Sequence, residues 1–197
     1  MINRSKTYEN IKKNFGLKSL SQSQVEGFEA IFNEWDERGL ENPHYLAYVL
    51  ATIWHEVNKT MQPIEEYGKG KGLKYGKRVW YDGRIYTDVT HIYYGRGLTQ
   101  NTWRDIYEKL TKANTRGWDF VNNPGLLLKM EPSIWATFHA MTTGLYTGRK
   151  LSQYFNDKVI DPTGARSIIN GKRKGELLPD KAELIKGYYD KFLKSIV

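Results

Sequence analysis

The chain has no cysteine among its 197 residues. This absence excludes disulfide scaffolds, cysteine-ligated zinc, iron–sulfur clusters and thiol nucleophiles. The chain also has few prolines (6), no Gly-x-x repeat and no apolar run of about 18 residues, which argues against disorder, a collagen-like chain and a membrane span. Residues 1–6 lead into polar sequence, so we expect no signal peptide.

Hydrophobic residues make up 40% of the chain and aromatic residues 14%, a composition that predicts a folded globule with a real core. Positive charge is in excess, with 30 Lys and Arg against 22 Asp and Glu, which gives a net charge of +8. A charge of this size predicts attraction to a polyanion, namely nucleic acid, an acidic membrane surface or an anionic cell wall. Composition alone does not choose among them.

Apolar residues recur at three- and four-residue spacing in several segments, which predicts a mainly helical chain. The predicted helices cover about 23–38, a second helix that starts at Pro43, 101–112, 132–146, a short segment at 163–169, and a last helix with a capping box at Asp180 and Glu183. The glycine-rich stretch 67–94 predicts an inserted lobe, with a β-hairpin on a type I′ turn at Asp82-Gly83. We therefore predict a single mainly α domain over residues 1–197 with a small inserted β-hairpin and loop lobe.

Glu56 follows Trp54 near the end of the second predicted helix. A carboxyl buried there against apolar groups would have a raised pKa and could act as a general acid; the alternative is a carboxylate on the solvated side of the helix. His55-Glu56 begins the H-E-x-x-H motif of zinc proteases, but Lys59 takes the place of the second histidine. We predict no metal and no cofactor.

A second acidic pair, Glu65-Glu66, follows nine and ten residues after Glu56, at the start of the lobe. Two carboxylates in one cleft can divide the work of a glycosidase, because one protonates the leaving oxygen while the other activates water. The alternative is a solvated pair of loop residues.

The segment Tyr93–Trp103 combines aromatic faces with amides and hydroxyls, as a sugar-binding groove requires. Glycines on both sides of Arg96 let the backbone turn tightly and direct the guanidinium inward; the remaining candidate groups are Tyr94, Gln100, Asn101, Thr102 and Trp103. The same residues could instead cap a helix at Asn101 and pack its first turn.

Two clusters of basic residues stand out: Lys69, Lys71, Lys74, Lys77 and Arg78 in the lobe, and Lys172-Arg173-Lys174 further on. They allow a nucleic-acid interface, but no helix-turn-helix, zinc-finger or single-strand-binding motif accompanies them. A solvated face or a patch for an anionic surface is the favoured interpretation, and we expect no specific nucleic-acid partner.

Four patches in order resemble glycoside hydrolase family 19, the chitinase-like family that includes phage and bacterial endolysins. They are Trp54-His55-Glu56; Met61–Glu66 (MQPIEE); Tyr93–Trp103 (YYGRGLTQNTW); and the downstream group Val121–Pro124, Ile134-Trp135 and Ile168–Gly171. The resemblance spans roughly residues 45–175. It implies a lysozyme-like helical fold and inverting hydrolysis of a β-1,4 bond next to an N-acetylated sugar.

The resemblance also implies roles for individual residues. Glu56 matches the general acid, and the base is Glu66 or Glu65, with the motif register favouring Glu66. Thr102 matches a residue that holds the attacking water, Arg96 an anchor for acidic groups in the cleft, and the substrate-binding group consists of Tyr94, Arg96, Gln100, Trp103 and Asn170. Lys172-Arg173-Lys174 and the lack of cysteine depart from plant chitinases.

Bare chitin is uncharged, whereas peptidoglycan carries carboxylates and is surrounded by anionic envelope polymers. The +8 charge therefore favours peptidoglycan. We expect a monomeric endolysin-like enzyme without a separate wall-binding domain, made in the host cytoplasm and released to the bacterial wall by a holin-type route. The alternatives are a chitinase and, further off, a non-catalytic module that binds cell wall or nucleic acid.

Overall fold

The computed structural model describes residues 2–171 and 181–197. The helices in these residues are α1 (Arg4–Phe15), α2 (Gln22–Glu37), α3 (Pro43–Glu56), α4 (Arg104–Ala113), α5 (Met130–Thr143) and α6 (Ala182–Leu193). Two small antiparallel sheets pair β1 (Ile64–Glu65) with β2 (Arg96–Gly97), and β3 (Phe155–Asn156) with β4 (Val159–Ile160). The predicted mainly α fold with a little β-structure is confirmed. No helix within the described ranges is long and apolar enough to cross a membrane.

The chain divides into two compact units. The first consists of residues 1–61 and 138–197, and the second of residues 62–137. The lobe predicted at 67–94 lies inside the second unit.

An aromatic core holds the helices of the first unit together. Helix α3 packs along α6, and the ring centroids of Phe15, Trp54 and Phe192 lie 4.6–5.8 Å apart. Helix α3 begins where the sequence predicts, because Pro43 occupies its first turn and the Asn42 side chain accepts a hydrogen bond from the backbone N–H of His44.

Helix α1 has no counterpart among the predicted helices. Only Thr7 and Ile11 of its twelve residues are buried, so its apolar stripe is too short to be recognised from periodicity. Its ends do carry local signals, since Asn3 caps the N-terminus and Gly16 adopts the left-handed conformation at the C-terminus.

The predicted type I′ turn is wrong. That turn needs positive φ at both Asp82 and Gly83, but only Gly83 has one, with φ of +91°. The Gly83 N–H donates to the Trp80 carbonyl, and a single bridge joins Val79 to Ile85. The segment is therefore a short hairpin, and the hydrogen bond from Gly83 to Trp80 closes its turn.

Several predicted helix boundaries shift. Helix α4 begins at Arg104 with Trp103 as its N-cap, so Asn101 does not cap it. The segment near 163–169 forms a 3₁₀ helix, Gly164–Ile168. Helix α6 has Lys181 as its N-cap, and Asp180, the predicted cap, lies outside the described residues.

Candidate active site

Glu65 is part of a charged cluster in the second unit. The pairing of β1 with β2 sets it opposite Arg96, whose Nε lies 3.9 Å from its carboxylate. The Tyr94 hydroxyl donates to Glu65 at 2.5 Å, and Lys69 Nζ pairs with it at 2.9 Å. The hydrogen bond from Tyr94, followed by that from Lys69, lowers the pKa of Glu65 below its ordinary value, while burial acts against them. Glu65 is thus held as an ion-paired carboxylate.

Glu66 has a different environment, although it is the next residue. Its backbone N–H donates to the Gly95 carbonyl at 2.8 Å, and the Gly95 N–H donates to Glu66 Oε2 at 3.0 Å. The Tyr75 hydroxyl donates to Glu66 Oε1 at 3.1 Å. Neutral donors therefore fix both oxygens of this partly exposed carboxylate.

Arg96 is buried, and its guanidinium contacts other side chains and carbonyls of the protein. Its guanidinium lies 3.6 Å from the centroid of the Tyr94 ring and donates to the Tyr107 hydroxyl at 3.2 Å and to the Ile92 carbonyl at 3.1 Å. Only 8% of its side chain is exposed. These contacts make Arg96 an anchor for the cluster beside Glu65.

The loop after β2 closes on itself through two backbone hydrogen bonds between Arg96 and Asn101, of 2.8 and 3.2 Å. Gln100 has a positive φ of +51°, a backbone conformation that residues other than glycine rarely adopt. Its amide group donates to the carbonyls of Ile64 at 3.2 Å and Gly97 at 3.1 Å. The nitrogen of the Gln100 side chain thus ties the loop to the sheet, which the sequence did not predict.

Trp103 forms an aromatic cluster next to Glu66. The rings of Tyr75 and Tyr81 meet Trp103 edge-on, at centroid distances of 5.8 and 5.1 Å. Burial, and then the hydrogen bond to Glu66, raise the pKa of Tyr75 to about 12, so its hydroxyl remains a donor at neutral pH. Thr102 is half-buried, and its side chain makes no hydrogen bond within the described part of the chain.

Glu56 lies in the first unit, where it is the last residue of α3. It accepts a hydrogen bond of 2.6 Å from Arg166 Nη1, and 15% of the Glu56 side chain and 4% of the Arg166 side chain are exposed. With its amide oxygen turned toward Arg166, Asn170 accepts from Nη2 at 2.8 Å.

The predicted site residues thus fall into two groups. Seven of them lie in the second unit, where Thr102 precedes Trp103 in the chain and the other six form one cluster: Glu65, Glu66, Tyr94, Arg96, Gln100 and Trp103. Glu56 and Asn170 flank Arg166 in the first unit, and the basic run Lys172-Arg173-Lys174 lies outside the described residues.

Sequence reasoning missed two functional candidates, Tyr75 and Arg166. Arg166 is 110 residues from Glu56, and no local pattern links residues so far apart. Tyr75 had a weak signal, as an aromatic residue in a glycine-rich loop nine residues after Glu66.

Comparison of the chain with protein-family models, with curated proteins and with solved structures gave no match. The functional interpretation therefore depends on the motifs and on the chemistry of the two groups of residues.

Proposed function

We propose that this protein is a glycoside hydrolase that cleaves the β-1,4-linked glycan of bacterial peptidoglycan with inversion. The observation that carries the proposal is the environment of Glu66. Neutral donors from Tyr75 and Gly95 orient both of its oxygens, and Tyr75 also contacts the ring of Trp103. A fixed carboxylate next to aromatic faces suits a base that activates water beside a bound sugar.

The environments of the two neighbouring carboxylates favour Glu66 over Glu65 as the base. A base must accept the proton of the water, and the positive charges of Lys69 and Arg96 beside Glu65 oppose its protonation. Both side-chain oxygens of Glu66 face neutral donors instead. The motif that resembles family 19 also selects Glu66, so two independent arguments agree.

In the proposed reaction Glu56 is the general acid. In the inverting reaction that the resemblance implies, the acid gives its proton to the glycosidic oxygen as the bond to the anomeric carbon breaks, and a water molecule attacks that carbon. Glu66 takes the proton released by the water, and exchange with solvent restores both groups. Arg166 orients the Glu56 carboxyl through the 2.6 Å hydrogen bond.

The substrate class follows from charge. A protein of net charge +8 gains attraction to the carboxylates of peptidoglycan and to the anionic polymers around it, but none to uncharged chitin. The resemblance to the endolysin branch of family 19 supports the same choice.

The test compares Glu56→Gln, Glu66→Gln and Glu65→Gln in the clearing of purified bacterial walls. Loss of a general acid or base costs about 10²–10⁴ in rate, so we expect the first two variants to be nearly inactive. Glu65→Gln is the matched control one residue away, and it should keep more than about a tenth of the rate, because it loses an ion pair and no reacting group. Clearing at the unmodified rate by Glu56→Gln or Glu66→Gln would contradict the proposal, as would equal losses in the neighbouring pair.

A further inference from the structure

Residues 67–86 of the second unit expose large hydrophobic side chains to solvent. Tyr67 is fully exposed, and Tyr81 and Ile85 are 73% and 75% exposed. With Leu73, they make up four of the nine exposed large hydrophobic side chains in the described part of the chain. Such a concentration within twenty residues is unusual for a surface that faces only water.

The same segment carries cations without counter-charges. Lys69 pairs with Glu65, and Arg84 pairs with Asp82, which is the single acidic residue of this segment. Four further cations are exposed and form no ion pair within the described residues: Lys71, Lys74, Lys77 and Arg78. The segment therefore has a net positive charge that the fold does not neutralise.

The loop that bears these side chains has a defined shape. A Cβ atom built on Gly76 would lie 1.8 Å from the Gly70 carbonyl oxygen, so the two limbs of the loop are in close backbone contact there. Tyr75 from the loop and Tyr81 from the hairpin both pack on Trp103. The exposed groups are thus presented by an anchored scaffold.

The hairpin has a second anchor. The Arg104 guanidinium contacts the rings of both Trp80 and Tyr86, 4.5 and 4.6 Å from their centroids, and pairs with Asp88. These contacts fix the base of the hairpin and leave Ile85 at its surface.

The combination of side chains indicates the partner. Lysines fit any polyanion, and tyrosines could stack on bases or sugars, but a hydrated polyanion offers nothing to Leu73 and Ile85. The interface of an anionic bilayer accepts all of them, because tyrosine and aliphatic side chains enter the headgroup region while lysine and arginine remain at the charged surface. We propose that residues 67–86, which we name the basic–apolar lobe, bind the surface of an anionic phospholipid membrane.

The size of the effect follows from the number of free cations. Each Lys or Arg near an anionic surface increases binding by about fivefold. Removing two of the four should therefore weaken vesicle binding by about 25-fold, and loss of the Ile85 side chain should weaken it by about tenfold.

The experiment measures co-sedimentation of the full chain with vesicles of phosphatidylcholine alone or mixed with phosphatidylglycerol. We expect binding only to the mixed vesicles, with the stated losses in Lys71→Gln/Lys74→Gln and in Ile85→Ser. The matched controls are Lys18→Gln/Lys158→Gln, which removes two exposed cations elsewhere, and Ile160→Ser, which removes an exposed isoleucine of β4. Both controls should bind within about twofold of the unmodified protein.

Three results would overturn the proposal: equal binding to both kinds of vesicle, equal losses in the control variants, or no vesicle binding while soluble poly(glycerol phosphate) or single-stranded DNA binds through the lobe. The proposal does not depend on hydrolysis. Glu56→Gln should bind vesicles like the unmodified protein, so a failure of the proposed reaction leaves this result unchanged.

Discussion

Glu65→Gln tests the distinct environments of the two neighbouring carboxylates. The glutamine keeps an oxygen that accepts from Tyr94 but removes the charge that faces Lys69 and Arg96. The Lys69 side chain is 62% exposed, so solvent screens its ion pair and the pair contributes little to stability. Replacing a charged acceptor by a neutral one costs about 1 kcal/mol more. We expect the free energy of unfolding to fall by about 1–2 kcal/mol at pH 7.

The sign of the pH dependence follows from the lowered pKa of Glu65. The unfolded state binds this proton more readily than the folded state, so the stabilisation is fully present above the ordinary glutamate pKa of about 4.3. It disappears as the pH falls through the lower pKa of the folded state. The difference between Glu65→Gln and the unmodified protein should therefore shrink below about pH 4.

Urea unfolding followed by tryptophan fluorescence at pH 7 and at successively lower pH measures this difference. Glu131→Gln is a suitable control because Glu131 is 69% exposed, and its change should stay within about 0.5 kcal/mol. A loss in Glu65→Gln that is the same at every pH would refute the argument.

Two further predictions concern single side chains. Tyr75→Phe removes the hydroxyl that holds Glu66, so kcat on purified walls should fall about tenfold while KM and the unfolding midpoint hardly change; a normal kcat would contradict this role. Gly27→Ala should lower the free energy of unfolding by about 2–3 kcal/mol, because its new Cβ would lie 2.1 Å from the Met61 carbonyl oxygen. In the matched variant Gly187→Ala the Cβ meets open space in α6, and better helix propensity should raise the stability by about 1 kcal/mol; equal urea midpoints for the two alanine variants would contradict this reasoning.

The sequence predicts those helices whose periodicity and end signals agree. Helix α2 has both an apolar stripe and a capping box between Ser21 and Gln24, and it lies within one residue of its predicted bounds. Helix α1 has its end signals but little periodicity, because much of its packing comes from Tyr8 against Phe28 and Phe32 of another helix. Long-range contacts of this kind leave no pattern in the local sequence.

The sequence predicts which residues belong to the candidate site but not which groups each of them contacts. The motifs locate Glu65 and Glu66, yet neighbouring residues of an extended segment point to opposite sides and meet different groups. Only the folded chain shows that Glu65 faces Arg96 and that Glu66 accepts from Tyr75. The prediction of the hairpin turn failed for a related reason. The hydrogen bond from Gly83 to Trp80 puts Tyr81 and Asp82 at the centre of the turn, whereas the prediction put Asp82 and Gly83 there.

The central claim is hydrolysis of a glycan bond in which Glu56 is the acid. Mass spectrometry of the soluble fragments released from purified peptidoglycan tests it most directly, with the unmodified protein and Glu56→Gln run in parallel. We predict saccharide fragments with new reducing ends from the unmodified protein and almost none from Glu56→Gln. Release of free peptides from an intact glycan, or the same saccharides from both proteins, would contradict the claim.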